Sequence, residues 1–278
     1  MDLGLNDLVV WITGAAGGIG RVLAERFAAE GARLVLHAHS SAARLRESVG
    51  RAAWNDRAIV VEGDVREPQA MESCAAAGAK RFGLVDACIV NAGVWPDADV
   101  PLHAMDAERI RSVIEINLLG ALYTARAFLR QLAASSARTD GRGASIVLIG
   151  STSGRFGERG HAEYSASKSA LRGLSLSLKN EIVDLDPRGR VNLVEPGWTV
   201  TEMTKDALND DAVLQRSLAT MPLKRVATPD DVADAVLWLS SSAARHVSGE
   251  TITVAGGMEG RQRWTAGEID GDAVRRGT

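Results

Sequence analysis

Residues 9–20 read VVWITGAAGGIG, and this stretch decides how the rest of the chain is understood. Val9 to Ile12 form a short apolar run, Gly14, Gly17, Gly18 and Gly20 crowd the turn after it, and Ile19, Val22, Leu23 and Phe27 then recur at helical spacing. Gly31 follows as a helix stop. A strand passing through glycines into a helix brings backbone N–H groups to the helix's positive end, where a pyrophosphate can sit. The spacing is Thr13-Gly14-x-x-x-Gly18-x-Gly20, distinct from the G-x-G-x-x-G form.

Further along, short runs rich in Val, Ile and Leu alternate with longer segments of helical period, the pattern of a parallel sheet built from βαβ units. The predicted strands are 8–12, 33–37, 58–62, 85–90, 145–149, 190–194 and 251–254. Several are nearly continuous in apolar residues, as strands covered on both faces should be. Ile110, Val113, Ile114, Leu118, Ala121 and Leu122 predict a long helix running through Leu132, and Leu171, Leu174, Leu178 and Ile182 another that ends before Pro187. The stretch 135–143, SSARTDGRG, reads as a polar loop. The expected fold is one α/β Rossmann-type domain, doubly wound, with a seven-stranded parallel sheet flanked by helices, over residues 1–257; residues 258–278 form a C-terminal tail.

Composition narrows the function classes. A chain of 278 residues with a net charge of −3 and scattered basic residues carries no footprint for nucleic acid. No apolar run of membrane-spanning length stands out, and MDLGLNDLVVWITG lacks the basic start and long apolar stretch of a signal peptide. Two widely separated cysteines, Cys74 and Cys88, are far from a disulfide framework or metal cluster, so a reducing, cytoplasmic setting is expected and no metal site is called for.

The second chemical motif is AEYSASKSA at 162–170. Tyr164 and Lys168 stand four apart and share one helical face. An ammonium beside a phenol favours the phenolate, which makes the tyrosine usable as a proton donor or acceptor near neutral pH. Small Ala and Ser neighbours suit a helix packed closely against a cofactor or another helix.

Taken together, residues 8–257 resemble the short-chain dehydrogenase/reductase family, and within it the 3-oxoacyl-acyl-carrier-protein reductase-like members. The markers occur in the family's order: the glycine motif, Asp64 in GDV, NAG at 91–93, Asn117 in INLLG, Ser151 in IGSTSG, Tyr164-x-x-x-Lys168, and PGWTVT at 196–201. The resemblance implies a catalytic set of Asn117, Ser151, Tyr164 and Lys168. Tyr164 is then the general acid in carbonyl reduction and the base in alcohol oxidation; Lys168 holds the nicotinamide ribose and depresses the tyrosine pKa. Ser151 hydrogen-bonds the substrate oxygen, and Asn117 holds a water that links Lys168 to solvent. It implies cofactor contacts from Thr13, Gly14, Gly18, Ile19 and Gly20, from Asp64 and Val65 at the adenine, and from Asn91, Ala92 and Gly93. Pro196, Gly197, Thr199 and Thr201 join Tyr164 and Lys168 at the nicotinamide.

Trp95, Arg155, His161, Trp198 and Met203 fall where the family's variable loops border the substrate, with Trp95 and Trp198 able to form an aromatic wall. His161 reads as a loop histidine instead of a second acid–base group. Glu195, before Pro196, faces the substrate or pairs with a basic neighbour; the pairing is the expected outcome. The segment 204–224 resembles a mobile lid. Ala255 in TVAGG stands where many relatives carry Asp. The tail is disordered or at a subunit interface, with Trp264 as an anchor in the second case and disorder expected after it. Family members form dimers or tetramers through the long helices, and Ala166 and Ala170 would permit close helix contact.

The cofactor is indicated by LVLHAHSSAA at 34–43. NAD-preferring relatives tend to place Asp at position 38, where this chain has Ala38. His39, Ser40 and Ser41 can donate hydrogen bonds to a 2′-phosphate, and Arg44 can add charge. NADP(H) is thus the expected cofactor. Gly17, where NADP-binding relatives often carry a basic residue, keeps NAD(H) as the alternative. The expected activity is hydride transfer between NADP(H) and a ketone or secondary alcohol, foremost reduction of a 3-oxoacyl-like ketone. NAD-dependent oxidation of a sugar or cyclic alcohol is the alternative. A catalytically silent dinucleotide sensor or scaffold is the reading from another class, against which the complete catalytic set speaks.

Overall fold

In the computed structural model, which describes residues 3–135 and 141–260, all seven predicted strands form a single parallel sheet. They are β1 (Val9–Ile12), β2 (Arg33–Ala38), β3 (Ala58–Glu62), β4 (Ala87–Val90), β5 (Ser145–Ile149), β6 (Arg190–Pro196) and β7 (Thr251–Val254). Their order across the sheet is β3-β2-β1-β4-β5-β6-β7. The chain turns back between β1 and β4, so the crevice above their C-terminal ends is the topological switch point of a doubly wound sheet.

The helices are α1 (Gly18–Ala29), α2 (Ala42–Gly50), α3 (Pro68–Phe82), α4 (Ala107–Ile114), α5 (Gly120–Ala133), α6 (Thr152–Phe156), α7 (Ala162–Leu185), α8 (Lys205–Asn209), α9 (Asp211–Ala219) and α10 (Pro229–Ser240). Alternation along the strands divides the interior into two layers. Val10, Ile12, Leu34, Leu36 and Val147 face α1 and α10, while Val9, Trp11, Val35, Ile146 and Leu148 face α3, α5 and α7. Both faces are covered, which is why these strands are apolar throughout.

Two elements differ from the sequence reading in ways that bear on the site. β4 begins at Ala87, two residues later than expected. The Val85 N–H is taken by Gln131 Oε1 at 2.8 Å, and Asp86 turns its carboxylate back to accept from Val9 N at 2.7 Å. The expected helix over 110–132 is longer, and Glu115–Leu119 within it forms a π-helical turn joining α4 to α5. Such a turn is widened by one residue and favours functional sites. The 107–133 run is also long and apolar enough to cross a membrane by length and composition, contrary to the sequence reading. Its inward side, including Ala121, Ala125, Phe128 and Leu132, lies in the second core layer. Gly31, at φ +84°, ends the α1 turn as expected.

Candidate functional site

A cavity of about 430 Å³ opens above the switch point, lined from the C-terminal ends of six strands. Its floor is the glycine turn. Gly14 has φ +65°, and a Cβ there would lie 2.9 Å from Ala92 Cα; one on Gly20 would lie 2.2 Å from Gly14 O. Both positions therefore exclude a side chain, and the turn is held where exposed N–H groups meet the start of α1. Gly18, Ile19 and Gly20 line the cavity.

Thr13 does not. It is fully buried, and its Oγ1 accepts from Asn91 N at 3.0 Å and Ala92 N at 3.1 Å. Its role is to tie the end of β1 to the chain leaving β4. Asn91 completes the tie by donating to Thr13 O at 2.9 Å and Gly14 O at 3.2 Å, while it, Ala92 and Gly93 line the cavity.

A buried histidine that the sequence reading passed over braces the same turn. His37 Nε2 donates to Gly63 O at 3.0 Å, which leaves Nδ1 to accept from Gly14 N at 3.4 Å. Burial holds its pKa below the ordinary value, consistent with this neutral tautomer.

The far end of the cavity is formed by Ala38, His39, Ser40, Ser41, Arg44, Asp64, Val65 and Arg66. Arg66 was not anticipated. It forks onto Asp64, with Nε 2.9 Å and Nη2 2.6 Å from Oδ2, and this hydrogen bonding lowers the carboxyl's pKa. Arg46 is engaged with Glu62 at 2.8 Å. Arg44 is exposed and forms no ion pair among the described residues.

At the opposite end stand Ser151, Tyr164 and Lys168, with Pro196, Gly197, Thr199, Thr201 and Met203 across from them. Ser151 caps α6 by accepting from Ser153 N at 3.1 Å, so its own O–H remains to donate elsewhere. Lys168 is 5 % exposed and donates to Ile149 O at 2.9 Å, and its Nζ lies 5.8 Å from the Tyr164 ring centre. Burial pushes its ammonium down to about 8. A Cβ on Gly93 would lie 3.2 Å from both Lys168 Nζ and Asn117 Oδ1, so the backbone passes close to both groups.

Asn117 stands behind the cavity wall instead of on it. From the π-helical turn it accepts from Val94 N at 2.8 Å and donates to Val94 O at 3.0 Å and Ser167 Oγ at 3.2 Å. It thereby clasps the strand-end loop to α7.

Of the five residues expected at the substrate, only Met203 lines the cavity. Trp95 lies flat on His161, ring centres 3.8 Å apart, with Tyr164 edge-on at 4.6 Å. His161 is buried and donates from Nε2 to Pro96 O at 2.8 Å, a loop anchor as expected. Arg155 turns outward over Phe156 and donates to Thr253 Oγ1 at 3.2 Å. Trp198 packs with Met221, Ala255, Met258 and Phe156 in a separate cluster, so it forms no common wall with Trp95. Glu195 is 2 % exposed, with Oε2 unpartnered and no ion pair among the described residues, so the expected pairing with a basic neighbour is not made there. Burial raises its pKa against the longer-range pull of Arg172 and Arg155. Residues 204–224 form α8, α9 and their connections. Trp264 and the tail after residue 260 lie outside the described residues, which contain no cluster of three metal-ligating side chains.

Comparison with known proteins gives consistent likenesses. A family profile described as enoyl-(acyl carrier protein) reductase matches residues 14–259. An L-rhamnose 1-dehydrogenase (NAD(P)(+)) of Azotobacter vinelandii is 34 % identical over 91 % of this chain and 97 % of its own length. The 3-oxoacyl-acyl-carrier-protein reductase FabG of Escherichia coli is 36 % identical over 90 % of this chain and 96 % of its own. Among solved structures, a short-chain dehydrogenase/reductase (glucose/ribitol dehydrogenase) from Brucella melitensis superposes with a TM-score of 0.82 at 31 % identity. It covers 92 % of this chain and 98 % of that one.

Proposed function

This chain belongs to the short-chain dehydrogenase/reductase family and is an oxidoreductase acting on CH–OH and C=O groups, and we propose that it uses NADP(H) to interconvert a ketone and a secondary alcohol. The observation that carries this reading is the convergence of Ser151, Tyr164 and Lys168 at one end of a cavity whose floor is the glycine turn. A dinucleotide suits that cavity: Gly14 and Gly20 leave room for a pyrophosphate at the start of α1, and the far end is rich in hydrogen-bond donors. When bound, the nicotinamide supplies the hydride.

The protein's own groups handle the proton. The Tyr164 hydroxyl gives its proton to the substrate oxygen in reduction and takes one in oxidation. Lys168, an ammonium below about pH 8, favours the phenolate left behind. Ser151 donates its O–H to the same oxygen, where charge develops. Asn117, bonded to Val94 and to Ser167 of α7, holds the loop after β4 against the helix that carries Tyr164 and Lys168.

The absence of an acid at Ala38 and the uncommitted Arg44 support NADP(H) over NAD(H). Arg44→Ala should raise KM for NADPH about tenfold, the loss of one charge-assisted contact to a phosphate, and leave KM for NADH nearly unchanged. Steady-state kinetics with both cofactors decides, and an equal change in both would refute the assignment.

Reduction of a 3-oxoacyl-like ketone is our first substrate reading, in keeping with the NADP(H) site. Dehydrogenation of a sugar is the second. It is favoured by the acidic residues Asp97, Asp99 and Glu202 on the loops that leave the cavity at Val94 and Met203, which would repel an anionic acyl carrier. Rates with a 3-oxoacyl thioester and with a panel of aldoses, each with both cofactors, separate the two.

Assembly into a homodimer or homotetramer belongs to the same proposal. It is supported by an apolar groove of about 660 Å³ between α5 and α7, whose lining includes Leu122, Leu129, Leu174 and Leu185. Sedimentation should give at least a dimer, and Leu122→Arg should shift it toward monomer. A cytoplasmic setting is proposed with it: Cys74 and Cys88 are free and buried, and burial pushes the Cys74 thiol up to about 11.

A further inference from the structure

Next to Tyr164 lies a buried ion pair that the reaction scheme does not use. Glu163, in the first turn of α7, has a fully buried side chain, and its Oε1 accepts from Arg109 Nε at 2.9 Å and lies 2.7 Å from Nη2. Arg109 reaches over from α4 and spends its other donors on two loops, from Nη1 to Ala98 O at 2.6 Å and from Nη2 to Gly160 O at 3.1 Å. The same two loops are joined by Val100 N to Gly160 O at 3.1 Å, by His161 Nε2 to Pro96 O, and by the Trp95–His161 stack. One guanidinium thus links α4, the loop after β4 and the start of α7.

Stability does not explain this arrangement. Taking both charges out of water costs more than an apolar pair of similar volume would, and Glu163 Oε2 is left buried without a partner. A guanidinium fork offers direction instead, because it satisfies its acceptors only when all three segments keep their places. Between the braced segments lies Trp95, stacked on His161, with its ring nearly perpendicular to that of Tyr164 and the centres 4.6 Å apart.

We propose that Arg109 and Glu163 are positioning residues for the reaction: they fix the Trp95–His161 wall against Tyr164 and so set the orientation of the phenol toward the substrate. The proposal rests on the role given to Tyr164 above.

Arg109→Lys keeps the charge and removes the fork. It should lower kcat with the ketone or alcohol substrate and raise that substrate's KM, a combined loss of about 10- to 100-fold for a misplacement of the order of 1 Å. NADPH affinity, read by fluorescence titration, should stay within about twofold, because neither residue borders the cavity. Single apolar substitutions leave one buried charge unpaired and can fail to fold, so the deciding protein is the double variant Arg109→Met with Glu163→Leu. With both charges gone its melting temperature should return to or exceed that of the wild type, while kcat/KM stays at least about tenfold down. Recovery of activity together with stability would mean the pair only supports the fold, and the proposal would be withdrawn. Substantial turnover by Tyr164→Phe would instead overturn the catalytic reading itself, which keeps the two failures apart.

Discussion

Tyr164→Phe is expected to reduce kcat by about 100- to 10,000-fold, the usual worth of a positioned general acid–base group. The ring it retains keeps the edge contact with Trp95, so packing around the 9 % exposed side chain changes little. Cofactor should therefore bind the variant within about twofold of the wild type, since most of the cavity that would hold a dinucleotide is lined by other residues. A cofactor titration alongside single-turnover rates separates the two quantities. Turnover within tenfold of the wild type would mean that another group moves the proton, and the assignment of roles would fail.

Lys168→Met should abolish turnover on a similar scale and also change how stability depends on pH. Burial holds the Lys168 ammonium at about 8 against an ordinary 10.5. Between these values the unfolded chain binds a proton that the folded chain has released, so wild-type stability rises with pH across that window. Below about pH 8 both states are protonated and the burial penalty is complete, up to about 3 kcal/mol. The methionine variant carries no such penalty. The wild type's stability relative to the variant should thus climb as pH goes from 8 to 10.5, in cofactor-free protein unfolded with urea. A difference that stays flat would show that the ammonium is better solvated than its surroundings imply. The enzyme accepts that penalty at neutral pH to keep a cation next to its phenol.

Most of the fold was legible because its signals are local. Strands covered on both faces are written as continuous Val, Ile and Leu, and each glycine-rich or polar break after them marks a turn. Where a boundary moved, a side chain from far along the chain was responsible, as with Gln131 on Val85. The site divides the same way. Gly14, Gly20, Ser151, Tyr164 and Lys168 belong to short motifs whose spacing determines their placement. Thr13 and Asn117 are close to the cofactor cavity in sequence terms, but spacing does not say which way a side chain points, and both point into the wall. Arg155 and Trp198 follow Ser151 and Pro196 closely yet turn toward β7 and the Met221 cluster. Arg109 and Glu163 are 54 residues apart, and no periodicity in either segment announces that they meet.

The strand order described above also has a meaning in time. As the chain is synthesised from its N-terminus, β1, β2 and β3 can pair side by side in the order they emerge. β4 then makes the only return, docking against β1, and from there each strand joins the one before it. Much of what frames the glycine turn, from Gly14 to Asn91, is therefore present before Tyr164 has left the ribosome, while Thr201, which packs on Gly18, comes later. The half that carries the glycine turn is thus built before the half that carries Tyr164, yet α1 keeps one face uncovered until α10 arrives, so the turn reaches its final packing only when the chain is nearly complete.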